Sequence, residues 1–193
     1  MQSVCVFAGS NSGTRDEYMA AARELGRVLA KRGTRLAYGG ARIGLMGALA
    51  DAALAEGGHV VGVMPQALVA KEVAHRGLTE LRVVASMHER KAMMAELADG
   101  FVALPGGWGT LEEFFEVLTW GQLGLHAKPC GLLNIRGYFD GLLAFVDHTI
   151  GEGFVKREYR SMICVAEKPA ELLDAMAAYT PPVVHKWIEK AET

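Results

Sequence analysis

Short apolar runs alternate along the chain with longer stretches in which apolar residues recur every three or four positions. The runs at 4–8, 35–38, 59–64, 81–85, 101–104, 131–135 and 163–166 have the length of buried strands. The stretches at 16–31, 45–56, 87–98, 110–123, 138–150 and 170–179 have helical spacing. Gly33 stops the first helix, Gly57 and Gly58 the second, and Pro65 closes the third strand. Strands that alternate with helices build βαβ units, so the pattern predicts an α/β fold: a doubly wound, mostly parallel sheet with helices on both faces. Right-handed crossovers then put every strand-to-helix loop on one edge of the sheet, outside the carboxyl ends of the strands. Residues 1–180 read as a single nucleotide-binding domain and 181–193 as a C-terminal tail. The stretch 66–79 lacks clean periodicity and reads as a loop over the ligand edge.

Composition narrows this picture without changing it. The 193 residues are 51% hydrophobic and 22% charged, as in ordinary globular proteins, and suffice for one domain with a full core. The net charge of -2 gives no basic footprint for nucleic acid. No apolar run has membrane-spanning length, and the N-terminus does not read as a signal peptide, so a cytoplasmic protein without a membrane partner is expected. Cys5, Cys130 and Cys164 are scattered in or beside apolar runs. They read as reduced, buried thiols, not as a disulfide framework or a zinc site.

The chemistry concentrates in the loops. GSNSG (9–13), GGARIGLMG (39–47) and PGGWG (105–109) each follow a predicted strand. Glycine lets backbone N–H groups approach a ligand, and the dipole of a following helix favours an anion. Gly9, Ser10, Gly39, Gly40, Gly106, Gly107 and Gly109 are thus candidates for a phosphate site, although glycine is also the default turn residue. None of the loops reads GxGxxG or GxxxxGK[ST], so a monophosphate is the simpler ligand. In SMHERKAMMAELAD, Arg90 falls within a stripe formed by Met87, Met93, Met94 and Leu97. An inward guanidinium needs a partner, which a ligand phosphate or carboxylate at the helix start could supply. A structural salt bridge or snorkelling to solvent would also satisfy it. Lys91 points elsewhere and could reach over the crevice or be solvated. The segment Thr110–Leu–Glu–Glu113 matches an S/T-x-x-E capping box, which by itself accounts for Glu113. The wheel places Glu113 beside Val117 and Trp120, and a carboxylate there could instead address a developing positive charge.

These residues resemble a known family. PGGWGTLEE at 105–113 is similar to the PGGxGTxxE signature of the LONELY GUY (LOG) family. SMHERK at 86–91, YGGARIGLMG at 38–47 and CVFAGSNSG at the start match further family blocks, in the right order over most of the chain. The resemblance implies a Rossmann-like fold, a homodimer, and hydrolysis of the N-glycosidic bond of N6-modified adenosine 5'-monophosphates, with no metal or organic cofactor. The products would be a free cytokinin base and ribose 5-phosphate. Carried over by motif, Arg90 and Glu113 would be the catalytic pair, with Arg90 keeping Glu113 ionised. Gly107, Gly109 and Thr110 would line the phosphate site, and Thr119 and Glu72 would be further ligand contacts. Ala41 stands where the family commonly has a third glycine. The competing readings are a general AMP nucleosidase, a non-catalytic nucleotide or molybdenum-cofactor carrier, and a structural dimer module built on Trp120 and its apolar flank.

Overall fold

The computed structural model describes residues 1–69 and 74–183. Seven strands form one sheet: β1 (Ser3–Phe7), β2 (Arg35–Tyr38), β3 (Val60–Pro65), β4 (Glu80–Val84), β5 (Phe101–Ala103), β6 (Cys130–Leu133) and β7 (Ile163–Ala166). Their spatial order is β4-β3-β2-β1-β5-β6-β7, and every neighbouring pair is parallel. The helices are α1 (Asp16–Lys31), α2 (Gly44–Ala55), α3 (Gln66–Val69), α4 (Met87–Glu96), α5 (Trp108–Gln122), α6 (Asp140–Gly151) and α7 (Pro169–Ala177). Tighter 3₁₀ turns occupy Ile135–Gly137 and Arg157–Met162. The chain winds outward from β1 to β4, then returns to the other side of β1 with β5. The order therefore reverses between β1 and β5, which is where ligands bind in such sheets.

Side-chain alternation along the strands divides the core into two layers. Val4 and Val6 of β1 face a cluster with Leu25, Leu29, Leu49 and Leu172, under α1, α2 and α7. Cys5 and Phe7 face the opposite cluster, with Met94, Phe114 and Phe139, under α4, α5 and α6. Phe101 and Phe114 are fully buried, each worth about 1.5–3 kcal/mol relative to exposure. The cysteines are unpaired; Cys5 and Cys130 are buried and Cys164 is half-buried. Burial pushes the Cys130 thiol up to about 12, with Cys164 adding to the effect. No helix among the described residues is long and apolar enough to cross a membrane.

Several expectations shift in detail. The stretch expected as a loop at 66–79 starts with the short helix α3. Further on, Ala74 bridges to Ala41, the His75 N–H donates to the Gly40 carbonyl at 2.8 Å, and the His75 ring meets Asp51 at 2.9 Å. Met87, expected on the inward stripe of its helix, is exposed, and Met94 is the buried methionine there. The capping box expected at Thr110–Glu113 does not form. Helix α5 opens two residues earlier, with Gly107 at its N-cap, so Thr110 is already inside the first turn. The same S-x-x-E pattern forms its cap at α4, where Ser86 Oγ accepts the Glu89 N–H at 3.1 Å and Glu89 reaches back to the Ala85 N–H at 2.9 Å.

Candidate active site

A cavity of about 530 Å³ opens at the β1–β5 reversal. Its floor and one wall are the loop after β1, from Gly9 to Gly13, and the loop after β5, from Pro105 to Gly109. The two loops are tied together by the Gly9 N–H, which donates to the Pro105 carbonyl at 3.1 Å, and the first is tied to α2 by the Leu45 N–H, which donates to Gly9 O at 3.0 Å. Within α5 the Leu111 N–H is the one that reaches back to Gly107 O. The N–H groups of Trp108, Gly109 and Thr110 thus have no carbonyl inside the helix and stand at its positive end. With Thr110, buried in the same turn, they form a cradle for an anion. Only glycine fits at 106, because a Cβ there would strike the Thr110 side chain and come within 2.9 Å of Gly9 N.

Beside the cradle stand Arg90, from the first turn of α4, and Glu113, from the second turn of α5. Nη2 of Arg90 lies 3.6 Å from Oε1 of Glu113, and both side chains are nearly buried. That separation is an ion pair but not a hydrogen bond. Nε of Arg90 is buried and, among the described residues, has no partner. Arg90 also lines the cavity, a position from which a guanidinium can meet an acceptor on a ligand. The arginine reaches this position across β2: a Cβ on Gly39 would collide with its Nη2. Burial holds the Glu113 carboxyl above its ordinary range; Arg90 opposes the rise, and Glu112 adds to it. Arg90 therefore lessens the cost of ionising Glu113, in the direction expected of a neighbouring cation, without cancelling the effect of burial.

The expected site residues do not all converge. Gly9, Ser10, Gly106, Gly107, Gly109, Thr110, Arg90 and Glu113 line the cavity. Gly39 and Gly40 do not; the second glycine loop gives the cavity Leu45 and Met46 from the start of α2, and its glycines make room for neighbours. Lys91 turns away and ties α4 to α5, with Nζ at 2.6 Å from Glu112 and 2.9 Å from Glu116. Thr119 is on a different side of α5, where its hydroxyl donates to Phe115 O at 2.7 Å and it lines a separate groove with Phe145 and Ile150. Glu72 lies outside the described residues. Asp99 is not among the cavity residues; it accepts the N–H groups of Gln2 and Ser3.

Three aromatic lining residues were not anticipated: Tyr18, Tyr138 and Trp108, the last 90% exposed at the rim. A tyrosine near a helix start carries no pattern that separates it from a packing residue, so sequence could not single them out. Among the described residues no group of three His, Cys, Asp or Glu is placed to hold a metal ion, and no lysine lines the cavity.

A family model described as "Possible lysine decarboxylase" matches residues 46–176. A protein of Rhodococcoides fascians named cytokinin riboside 5'-monophosphate phosphoribohydrolase is 53% identical over 182 residues, 94% of this chain and 90% of that one. A protein of Oryza sativa subsp. japonica named probable cytokinin riboside 5'-monophosphate phosphoribohydrolase is 52% identical over 178 residues, 92% of this chain and 78% of that one. Among solved structures, the molybdenum cofactor carrier protein of Chlamydomonas reinhardtii superposes with a TM-score of 0.70 at 21% identity, covering 92% of this chain and 96% of that one. At that identity the likeness establishes the Rossmann-like fold alone. The extent of the family match and the identity to its relatives together make this chain a member of the LONELY GUY (LOG) family.

Proposed function

We propose that the protein hydrolyses the N-glycosidic bond of cytokinin riboside 5'-monophosphates, that is, N6-modified adenosine 5'-monophosphates, to the free base and ribose 5-phosphate. The observation that carries this reading is one cavity holding an anion cradle and, beside it, a buried carboxylate paired with an arginine. Relatives about 50% identical to the chain are named for the same reaction. The cavity volume lies in the usual range for a small-molecule site.

In this mechanism the 5'-phosphate docks on the α5 N-terminus and Thr110, which fixes the nucleotide by its unreactive end. The bond from C1' to the base nitrogen then lengthens, and positive charge grows on the ribose as in glycoside hydrolysis. Glu113, ionised and shielded from water, faces that charge and orients the attacking water. The water oxygen bonds to C1', the bonding pair leaves with the base, and the proton released by the water ends on the base. Arg90, at the cavity wall, holds the ligand through its guanidinium and steadies the Glu113 charge. A Schiff-base decarboxylation would instead need an amine in the cavity, and the described lining residues supply none.

We also infer a homodimer. Trp120 is half-buried and lines an open groove with Ala92, Leu125 and His126 on the outer side of α4 and α5. Thr119 can meet a ligand only if a second copy brings its own cavity to α5.

The test is product release from isopentenyladenosine 5'-monophosphate and AMP side by side. Wild type should release ribose 5-phosphate with preference for the modified nucleotide, and Glu113→Ala should lower kcat about 10²- to 10³-fold. Equal use of AMP would make the protein a general nucleosidase. Near-full turnover by Glu113→Ala would remove the carboxylate from the mechanism.

A further inference from the structure

Three of the five residues of the 105–109 loop, Gly106, Gly107 and Gly109, have no side chain to hold it. Gly107 caps α5 without a side-chain hydrogen bond, and Gly106 and Gly109 flank it. Such a run is conformationally loose. In the folded protein it is held from outside: the Tyr138 hydroxyl donates to the Gly106 carbonyl at 2.6 Å. That carbonyl shares a peptide unit with the Gly107 N–H. The unit is trans, so its C=O and N–H point in opposite directions. Fixing the carbonyl fixes the orientation of the N–H at the mouth of the helix.

Tyr138 is itself held with unusual care. It follows the turn from β6 to α6, in which Arg136 adopts a left-handed conformation at φ 55°, the one non-glycine residue with positive φ among those described. Gly137 follows with φ 71°. Asn134, buried at the end of β6, closes the turn: its Oδ1 accepts the Phe139 N–H at 2.7 Å, and its Nδ2 donates to Asp140 Oδ1 at 2.7 Å. The Tyr138 ring then stands edge-on to Tyr18, with centroids 5.6 Å apart, across the cavity mouth. A non-glycine left-handed residue costs conformational energy and persists where its surroundings over-determine it, most often at working sites. Here the only cavity contact the turn delivers is the phenol.

Resting on the function proposed above, we infer that Tyr138 is a positioning residue: it locks the 105–109 loop in the conformation that receives the 5'-phosphate of the substrate. It acts on the phosphate-bearing end of the ligand and not on the bond that breaks.

The experiment compares wild type, Tyr138→Phe and Asn134→Ala. Ribose 5-phosphate and adenine are titrated separately by calorimetry, and kcat and KM are measured with isopentenyladenosine 5'-monophosphate. Tyr138→Phe keeps the ring and removes one neutral hydrogen bond, so ribose 5-phosphate should bind roughly three- to tenfold more weakly. KM should rise in step, with kcat and adenine affinity nearly unchanged. Asn134→Ala slackens the same turn without touching the loop and should shift ribose 5-phosphate binding in the same direction. Unchanged ribose 5-phosphate affinity in both variants would overturn the inference, and so would equal weakening of ribose 5-phosphate and adenine, the mark of general loosening. Failure of wild type to bind ribose 5-phosphate or turn over the nucleotide would instead sink the proposed function, and the positioning role with it.

Discussion

Glu113 is held in a form that its surroundings disfavour. Burial raises its pKa, Arg90 at 3.6 Å lowers it in part, and Glu112 and Glu116 push it up again. A base of this kind must be ionised to act, so the acid limb of the pH–rate profile should lie above the ordinary glutamate value of about 4.3. The same rise affects stability. Between the unfolded and the raised folded pKa, the native state keeps a proton that the unfolded chain releases, so stability falls as pH rises through that window and stays lower above it. Glu113→Gln removes the charge at constant size. It should melt above wild type at neutral pH while losing activity, and the gain should vanish below roughly pH 4, where both forms are neutral. Thermal melts at the two pH values check this. Arg90 was legible in the sequence because helical spacing put a guanidinium on an inward stripe. The freedom of Glu113 was not, because TLEE at 110–113 reads as a cap as readily as SMHE at 86–89. Only the end of β5, which starts α5 at Trp108, tells the two apart.

At the scale of elements, the site is the meeting of α4 and α5 over the end of the sheet. Two successive residues of α4 face α5: Arg90 toward the cavity and Lys91 toward Glu112 and Glu116 on the outside. The second contact fixes how the helices lie, and the turn after β2 fixes how closely the arginine packs. Gly39→Ala puts a methyl group where the guanidinium lies. It should leave the fold intact, as read by circular dichroism, yet displace Arg90 and lower kcat/KM by about 10²-fold, the usual cost of a misplacement near 1 Å. Wild-type kinetics from that variant would mean that Arg90 can work from elsewhere. The order of strands and helices was readable because each strand run is short and apolar, and those at 4–8, 35–38, 59–64 and 101–104 are closed by Gly or Pro. The turn that carries Tyr138 was not, because it depends on a left-handed arginine, and no side-chain preference announces that conformation.

For the whole molecule, the parallel sheet and its binding edge followed from alternation alone, since every crossover has the same hand. The strand order, with β1 between β2 and β5, was not written in any local pattern. Light scattering at micromolar concentration should give a mass twice that of one chain; the mass of a single chain would remove the dimer. The reversal between β1 and β5 has a consequence for how the protein breathes. The two loops of the cradle, 9–13 and 105–109, lie nearly a hundred residues apart in the chain and are brought together by the pairing of Cys5, Val6 and Phe7 with Phe101, Val102 and Ala103 and by the Gly9 N–H to Pro105 carbonyl bond. A ligand seated across them bridges the early and late halves of the chain, so any opening that parts β1 from β5 must first release it. Saturating ribose 5-phosphate should therefore slow amide hydrogen exchange in β1 and β5 together and by the same factor, including at positions that never touch the ligand.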